Sequence, residues 1–217
     1  MCEDLLRTPL CLVIPGLGGS GERHWQTRWE QDRHDCERVE LGCWDAPQRN
    51  GWVSAIERAV RGADAPILFV AHSLGCHAVA WWAQLLAEGA SGQVVGALLV
   101  APPDVARGDV HPLLSRFAPS PRGLLPFPSI VVASRNDPYA TLARSREMAG
   151  SWGSDFVDVG EAGHINAESG LGAWAPGQRL LEQLCDARAR RTIPCETRRR
   201  PLRTTAPMPA PREFAIV

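Results

Sequence analysis

Ile67-Leu68-Phe69-Val70-Ala71-His72-Ser73-Leu74-Gly75 decides how this chain is read. Pro66 opens a short, strongly apolar run through Ala71, which fits a strand buried on both faces. Leu74 to Ala87 is apolar on most sides and long enough for a buried helix. Ser73 stands at the tip of the turn between them. Strand, sharp turn with serine and helix together make the arrangement of a nucleophile elbow, whose usual pattern is G-x-S-x-G. Ala71 stands where the first glycine belongs, a departure of one methyl group, and Gly75 is retained. A helix starting near Leu74 aims backbone N–H groups at the serine and favours negative charge developing there. The competing reading is an ordinary strand-turn-helix with an exposed serine.

Working outward, the pattern of strand followed by helix repeats. Apolar runs at Leu10–Ile14, Arg38–Leu41, Val94–Ala101, Ser129–Ala133 and Phe156–Val159 read as further strands. Helical spacing appears at Glu22–Arg33, Gly51–Arg61, Thr141–Ala149 and Gly177–Leu184. About six strands separated by helices predict a compact α/β fold, with a mostly parallel sheet and helices on both faces. Arg107–Pro128, rich in Pro, Ser and Arg, is a long excursion between strands. It is read either as part of the substrate rim or as a solvent-facing loop.

A serine nucleophile needs a base, and the base needs an orienting acid; in this fold the chain order is Ser, acid, His. Asp137 follows the strand Ser129–Ala133. His164 follows Phe156–Val159, with Gly163 before it to permit a tight turn. Parallel strands present their C-terminal ends on one edge, so Ser73, Asp137 and His164 are expected to meet there. The competing acid is Asp104, and Asp137 could also be a simple turn residue before Pro138. His24, His34, His72, His77 and His111 are weaker candidates for the base. Cys76 and His77 are read as helix packing, although a thiol near a helix start can be reactive.

Ile14-Pro15-Gly16-Leu17-Gly18-Gly19-Ser20 follows the first strand. It lacks the Lys-Ser/Thr of a phosphate-binding P-loop and the spacing of a dinucleotide fold. It reads as an oxyanion loop, with the backbone N–H groups of Leu17 and Leu74 as donors; one such donor is typically worth about 3–4 kcal/mol of transition-state stabilisation. Trp25, Trp44 and Trp174 fall in or near loops on the same edge. They either line an apolar substrate pocket or pack the margin of the core.

Composition narrows the function classes. The 217 residues are 45% hydrophobic and 22% charged, which excludes a fibrous repeat or wholesale disorder. All 23 basic residues are arginine. Residues 1–185 carry 15 Arg against 21 acidic residues, and the remainder 8 against 3. The acidic body argues against nucleic-acid binding by the folded part. The basic stretch 187–217 is read as an unstructured tail after a domain spanning 1–186, with contact to nucleic acid or an acidic partner as the alternative. No apolar run approaches the roughly 18 residues of a membrane helix, and no export signal is evident at the start. A cytoplasmic location is therefore expected. The seven cysteines are odd in number and lack any C-x-x-C pair. Neither a disulfide framework nor a zinc site is read from them, since Cys36 and Cys43 are too far apart for the usual ligand pair. Oligomeric state is not legible.

Four stretches together, PGLGGSGERHWQTRWE (Pro15–Glu30), VAHSLGCHA (Val70–Ala78), SRNDPYA (Ser134–Ala140) and GHINAESGLGAW (Gly163–Trp174), carry a family likeness. The chain from Leu10 to Leu184 resembles the retinoblastoma-binding-protein-nine-like serine hydrolases, also called the YdeN type. The resemblance implies a small α/β-hydrolase without a separate lid domain, Ser73 as nucleophile, Asp137 as orienting acid and His164 as base. It implies a small ester or acyl substrate, amide or thioester being alternatives, and no metal or organic cofactor. The basic tail inherits nothing from it. The alternative from another class is a protein-binding module on the same scaffold with vestigial catalysis.

Overall fold

In the computed structural model, residues 8–86 and 92–192 are described. Six strands form one sheet: β1 Leu10–Ile14, β2 Cys36–Arg38, β3 Ile67–His72, β4 Val94–Val100, β5 Ser129–Ala133 and β6 Asp155–Asp158. Their order across the sheet is β2-β1-β3-β4-β5-β6, and every neighbouring pair is parallel. All six residues of β3 are buried. That explains why the central strand carries no polar alternation before His72.

The helices are α1 Trp25–Asp32, α2 Arg49–Gly62, α3 Leu74–Leu86, α4 Pro112–Ser115, α5 Leu142–Trp152 and α6 Ala175–Thr192. Two apolar clusters cover the two faces of the sheet. One joins α2, α3, α4 and α5 through Trp52, Trp82, Leu114 and Trp152. The other joins α1 and α6 through Trp25, Trp29, Leu181 and Leu184. Among the described residues no helix is long and apolar enough to cross a membrane.

Three expected boundaries move. The second strand lies at Cys36–Arg38 rather than Arg38–Leu41. Val39 donates a last backbone bond to Val13 (2.9 Å), after which Val39 and Leu41 turn into the core, 4% exposed each. Their apolar spacing marks burial rather than sheet pairing. The excursion at 107–128 contains the short helix α4. The last helix extends to Thr192, past the boundary expected at residue 186; residues 193–217 of the expected tail lie outside the described residues.

Candidate active site

Ser73 follows the last residue of β3 and precedes the first of α3. Its φ is 53°, a left-handed conformation that a non-glycine residue adopts at a strained turn. The turn is secured by the Ser73 amide, which donates to Val100 O (2.8 Å). Gly75 is required by contact: a Cβ there would overlap the carbonyl oxygens of Ile14 and Pro15. Ala71 is accommodated, fully buried within the β3 ladder.

His164 Nε2 lies 2.9 Å from Ser73 Oγ. On its other side, Nδ1 lies 2.9 and 3.0 Å from the two oxygens of Asp137. In the neutral imidazole, Nδ1–H donates to the carboxylate and Nε2 accepts from the serine hydroxyl, an assignment made from the hydrogen-bond network. The Asp137 side chain is 4% exposed and that of His164 9%. A bond from the Tyr139 amide to Asp137 Oδ1 (2.9 Å) helps to orient the carboxylate. Asp104, the competing acid, is occupied elsewhere: it pairs with Arg144 at 3.2 Å and accepts from the Ala106 amide.

The loop carrying His164 is tied down from both sides. Ser134 Oγ donates to Asn136 Oδ1 (2.8 Å) and accepts from the Ala162 amide (2.9 Å), while Gly163 N–H donates to Asn136 Oδ1 (2.7 Å). The Trp25 indole donates to Ile165 O (2.8 Å), and His72 Nε2–H donates to His164 O (2.9 Å). Gly163 and Ile165 both have positive φ, 57° and 49°. The motif around Asp137 and the residue before the serine thus fix the backbone around His164.

The glycine-rich loop lies over the serine. Gly18 and Gly19 adopt φ of 75° and 74° and turn their amides to Trp44 O and Gly16 O. Gln26, fully buried, spans the loop and the sheet. Its Nε2 donates to Ile14 O (3.3 Å) and Val70 O (2.9 Å), and its Oε1 accepts from Ser20 Oγ (2.6 Å). One amide thereby joins the ends of β1 and β3 to the loop that follows β1.

Residues 11–183 match the family described as Serine hydrolase. The chain belongs to that family. A YdeN-like hydrolase from Pectobacterium atrosepticum is 31% identical, with a TM-score of 0.74 over 85% of this chain and 95% of that one. The ydeN gene product of Bacillus subtilis is 18% identical, with a TM-score of 0.65 over 82% and 100%. Est1E from Butyrivibrio proteoclasticus is 16% identical, with a TM-score of 0.60 over 82% and 89%. The last two show a shared fold. No curated protein matches the chain. With the all-parallel sheet, these likenesses identify a YdeN-type serine hydrolase of the α/β-hydrolase superfamily.

In this hydrolase a cavity of about 410 Å³ opens over Ser73 and His164. Its walls include Leu17, Arg23, His24, His111, Tyr139 and Glu168. The walls mix polar and apolar groups, as ligand pockets commonly do. Arg23, Tyr139 and Glu168 were not legible as site residues in the sequence. Only the assembled loops bring them together. The Tyr139 ring lies against the His164 ring, 4.5 Å between centroids.

The three tryptophans expected to line the pocket do not stand among its walls. Trp25 and Trp174 are 1% and 5% exposed and pack with Trp29 under the α1–α6 face. Trp44 is half-buried against Trp52 and backs the glycine loop at Gly19. Large rings near the catalytic edge here stabilise the loops from behind, the core-margin role weighed as the alternative. Leu17 and Leu74 do flank Ser73, Leu17 on the cavity wall and Leu74 fully buried.

Two further histidines crowd the site. The rings of His24 and His72 lie 4.7 Å apart, and His72 is 5.0 Å from His164. Burial, with Arg38 and His164 adding repulsion, pushes the His24 imidazole down to about 4. Burial and the two neighbouring histidines hold His72 well below its ordinary value. Both are therefore neutral near pH 7. His77 accepts its place in the core, Nε2 donating to Pro103 O at 2.7 Å, and burial pushes it down to about 4 as well. Cys76 is fully buried and burial raises its thiol, so it is an inert packing residue.

Proposed function

We propose that this hydrolase cleaves an ester through an acyl-enzyme on Ser73, with His164 as general base and acid and Asp137 as the orienting group. The observation that carries the reading is the unbroken chain from Ser73 Oγ through both nitrogens of His164 to Asp137, with 2.9 Å at each link. His164 takes the hydroxyl proton as Ser73 Oγ attacks the carbonyl carbon. The backbone amides of Leu17 and Leu74 receive the developing oxyanion. The protonated imidazole then gives its proton to the leaving alcohol, and Asp137 stabilises the charged ring. Water, activated by the same imidazole, releases the acid and restores the serine.

The reading includes a small ester or acyl substrate, with amides and thioesters as the nearest alternatives. It includes a cytoplasmic location and no nucleic-acid or membrane role for the acidic folded body. The test is labelling with a fluorophosphonate probe, which reports an activated serine. Labelling of the native protein and none of Ser73→Ala is expected. Equal labelling of both, or none of a folded native protein, would overturn it.

A further inference from the structure

A cluster of two thiols and a carboxylate lies at the opposite end of β1. Cys11 and Cys36 occupy facing positions of the parallel pair β1–β2, so their side chains leave the sheet on the same side. Asp35 completes the group. One ligand atom each from Cys11, Asp35 and Cys36 all lie within 4.8 Å of one another. The backbone closes around them, with the Cys11 amide donating to Asp35 O at 2.7 Å and Cys36 N–H donating to Arg33 O at 3.4 Å. Cys11 Sγ and Cys36 Sγ are each 3.9 Å from an Asp35 carboxylate oxygen. Cys11 is 1% exposed, whereas Cys36 and Asp35 are half-buried and give access from solvent.

We propose that Cys11, Cys36 and Asp35 form a binding site for one thiophilic divalent cation of the zinc and cadmium class. Two sulfurs and one carboxylate oxygen are a donor set that such cations take, with water as a fourth ligand on the open side. The reach is suitable. Three atoms no more than 4.8 Å apart leave a position within about 2.8 Å of all of them. Contraction by about half an ångström brings it to the ~2.3 Å of a metal–thiolate bond.

Charge balance points the same way. Two thiolates and a carboxylate carry three negative charges, and Arg33, bound to Asp35 at 2.7 and 3.0 Å, supplies one positive. A divalent cation neutralises the remainder and displaces the thiol protons to solvent. Arg33 then serves as an outer partner that orients the carboxylate. The site would fasten the three-residue edge strand β2 to β1, its one sheet neighbour among the described residues. It lies about 10 Å along β1 from Ile14 and the catalytic edge, so the hydrolytic reading does not enter it.

The spacing test applied to Cys36 and Cys43 could not find this site. Cys11 and Cys36 belong to different strands and meet only through sheet pairing.

The experiment is titration of the full chain with Cd²⁺ in a phosphine reductant, read by thiolate-to-cadmium ultraviolet absorption and by counting alkylatable thiols. Saturation at one Cd²⁺ per chain is expected, with one accessible thiol, that of the half-buried Cys36, newly protected from alkylation. Cys36→Ser, at the half-buried edge, should lose the absorption and the protection. Asp35→Asn should weaken binding at least about tenfold. Cys43→Ser should behave as native. Zn²⁺ should raise the melting temperature of native protein and not that of Cys36→Ser. No saturable absorption in the native chain, or the same absorption in Cys36→Ser, would overturn the proposal. Because Cys11→Ser alters a core position, Cys36→Ser carries the decision.

Discussion

Gly16 is packed against Ser73 so closely that a Cβ on the glycine would stand 2.7 Å from the serine Cβ. The contact couples the glycine loop to the elbow. A side chain at position 16 would press on the serine and on His72 O. Gly16→Ala should therefore displace the Leu17 amide and lower kcat by about 10²–10³, the loss seen when one oxyanion donor is removed. Steady-state kinetics on a short-chain p-nitrophenyl ester checks this. An unchanged kcat would separate the loop from oxyanion binding.

In the proposed mechanism Asp137 acts only through His164, whose Nδ1–H its carboxylate accepts. Asp137→Asn keeps the shape but offers an N–H where an acceptor is needed, so the ring takes the wrong tautomer. A fall of about 10⁴ in kcat with little change in KM is expected. Combining it with Ser73→Ala should cost scarcely more than Ser73→Ala alone, because the group works as a unit.

Gln26 offers a test of scaffold rather than chemistry. Gln26→Leu keeps the volume but strands Ile14 O, Val70 O and Ser20 Oγ in a buried place. Each stranded group costs about 1–3 kcal/mol. A drop in the urea midpoint equivalent to a few kcal/mol should accompany a lower kcat. A stable variant with full activity would show that water replaces the amide.

Trp174→Leu distinguishes wall from core. Trp174 is 5% exposed and packs on Trp25 and Trp29. Removing its ring should destabilise by about 3 kcal/mol while leaving KM for small esters unchanged. A selective rise in KM without loss of stability would restore the pocket role.

Acid should weaken the fold through its buried histidines. His24 and His77 titrate near 4 in the folded chain, and His72 well below 6.5, against an ordinary value of 6.5 when unfolded. Between these limits the unfolded chain binds more protons, so stability rises with pH and is lost as pH falls from about 6.5 towards 4. His24 and His77 should each account for roughly 3 kcal/mol across that window. Urea unfolding at successive pH values reads the slope. A flat profile would mean that these rings are charged or solvated in the folded chain.

The elements with strong local signals were legible early. β3 reads as a wholly apolar run, and the elbow reads from small residues around one serine. Ser73, Asp137 and His164 follow from chain order and from the shared edge of parallel strands. Weak local signals misled where burial and pairing part company. Val39 and Leu41 look like a strand but are core residues beyond the ladder. The tryptophans look like pocket walls because loops and rings fall near one edge, yet a ring can pack behind a loop as readily as in front of it.

The sequence by itself determined the fold class, because apolar periodicity is a local property, and that Ser73, Asp137 and His164 meet, because parallel topology sends each strand end to one edge. Only the tertiary structure decided that Gln26 joins two strand ends to a loop, that Asp104 is spent on Arg144, and that Cys11 faces Cys36. These are contacts between segments distant along the chain. They depend on register and side-chain direction, which no spacing in the sequence encodes.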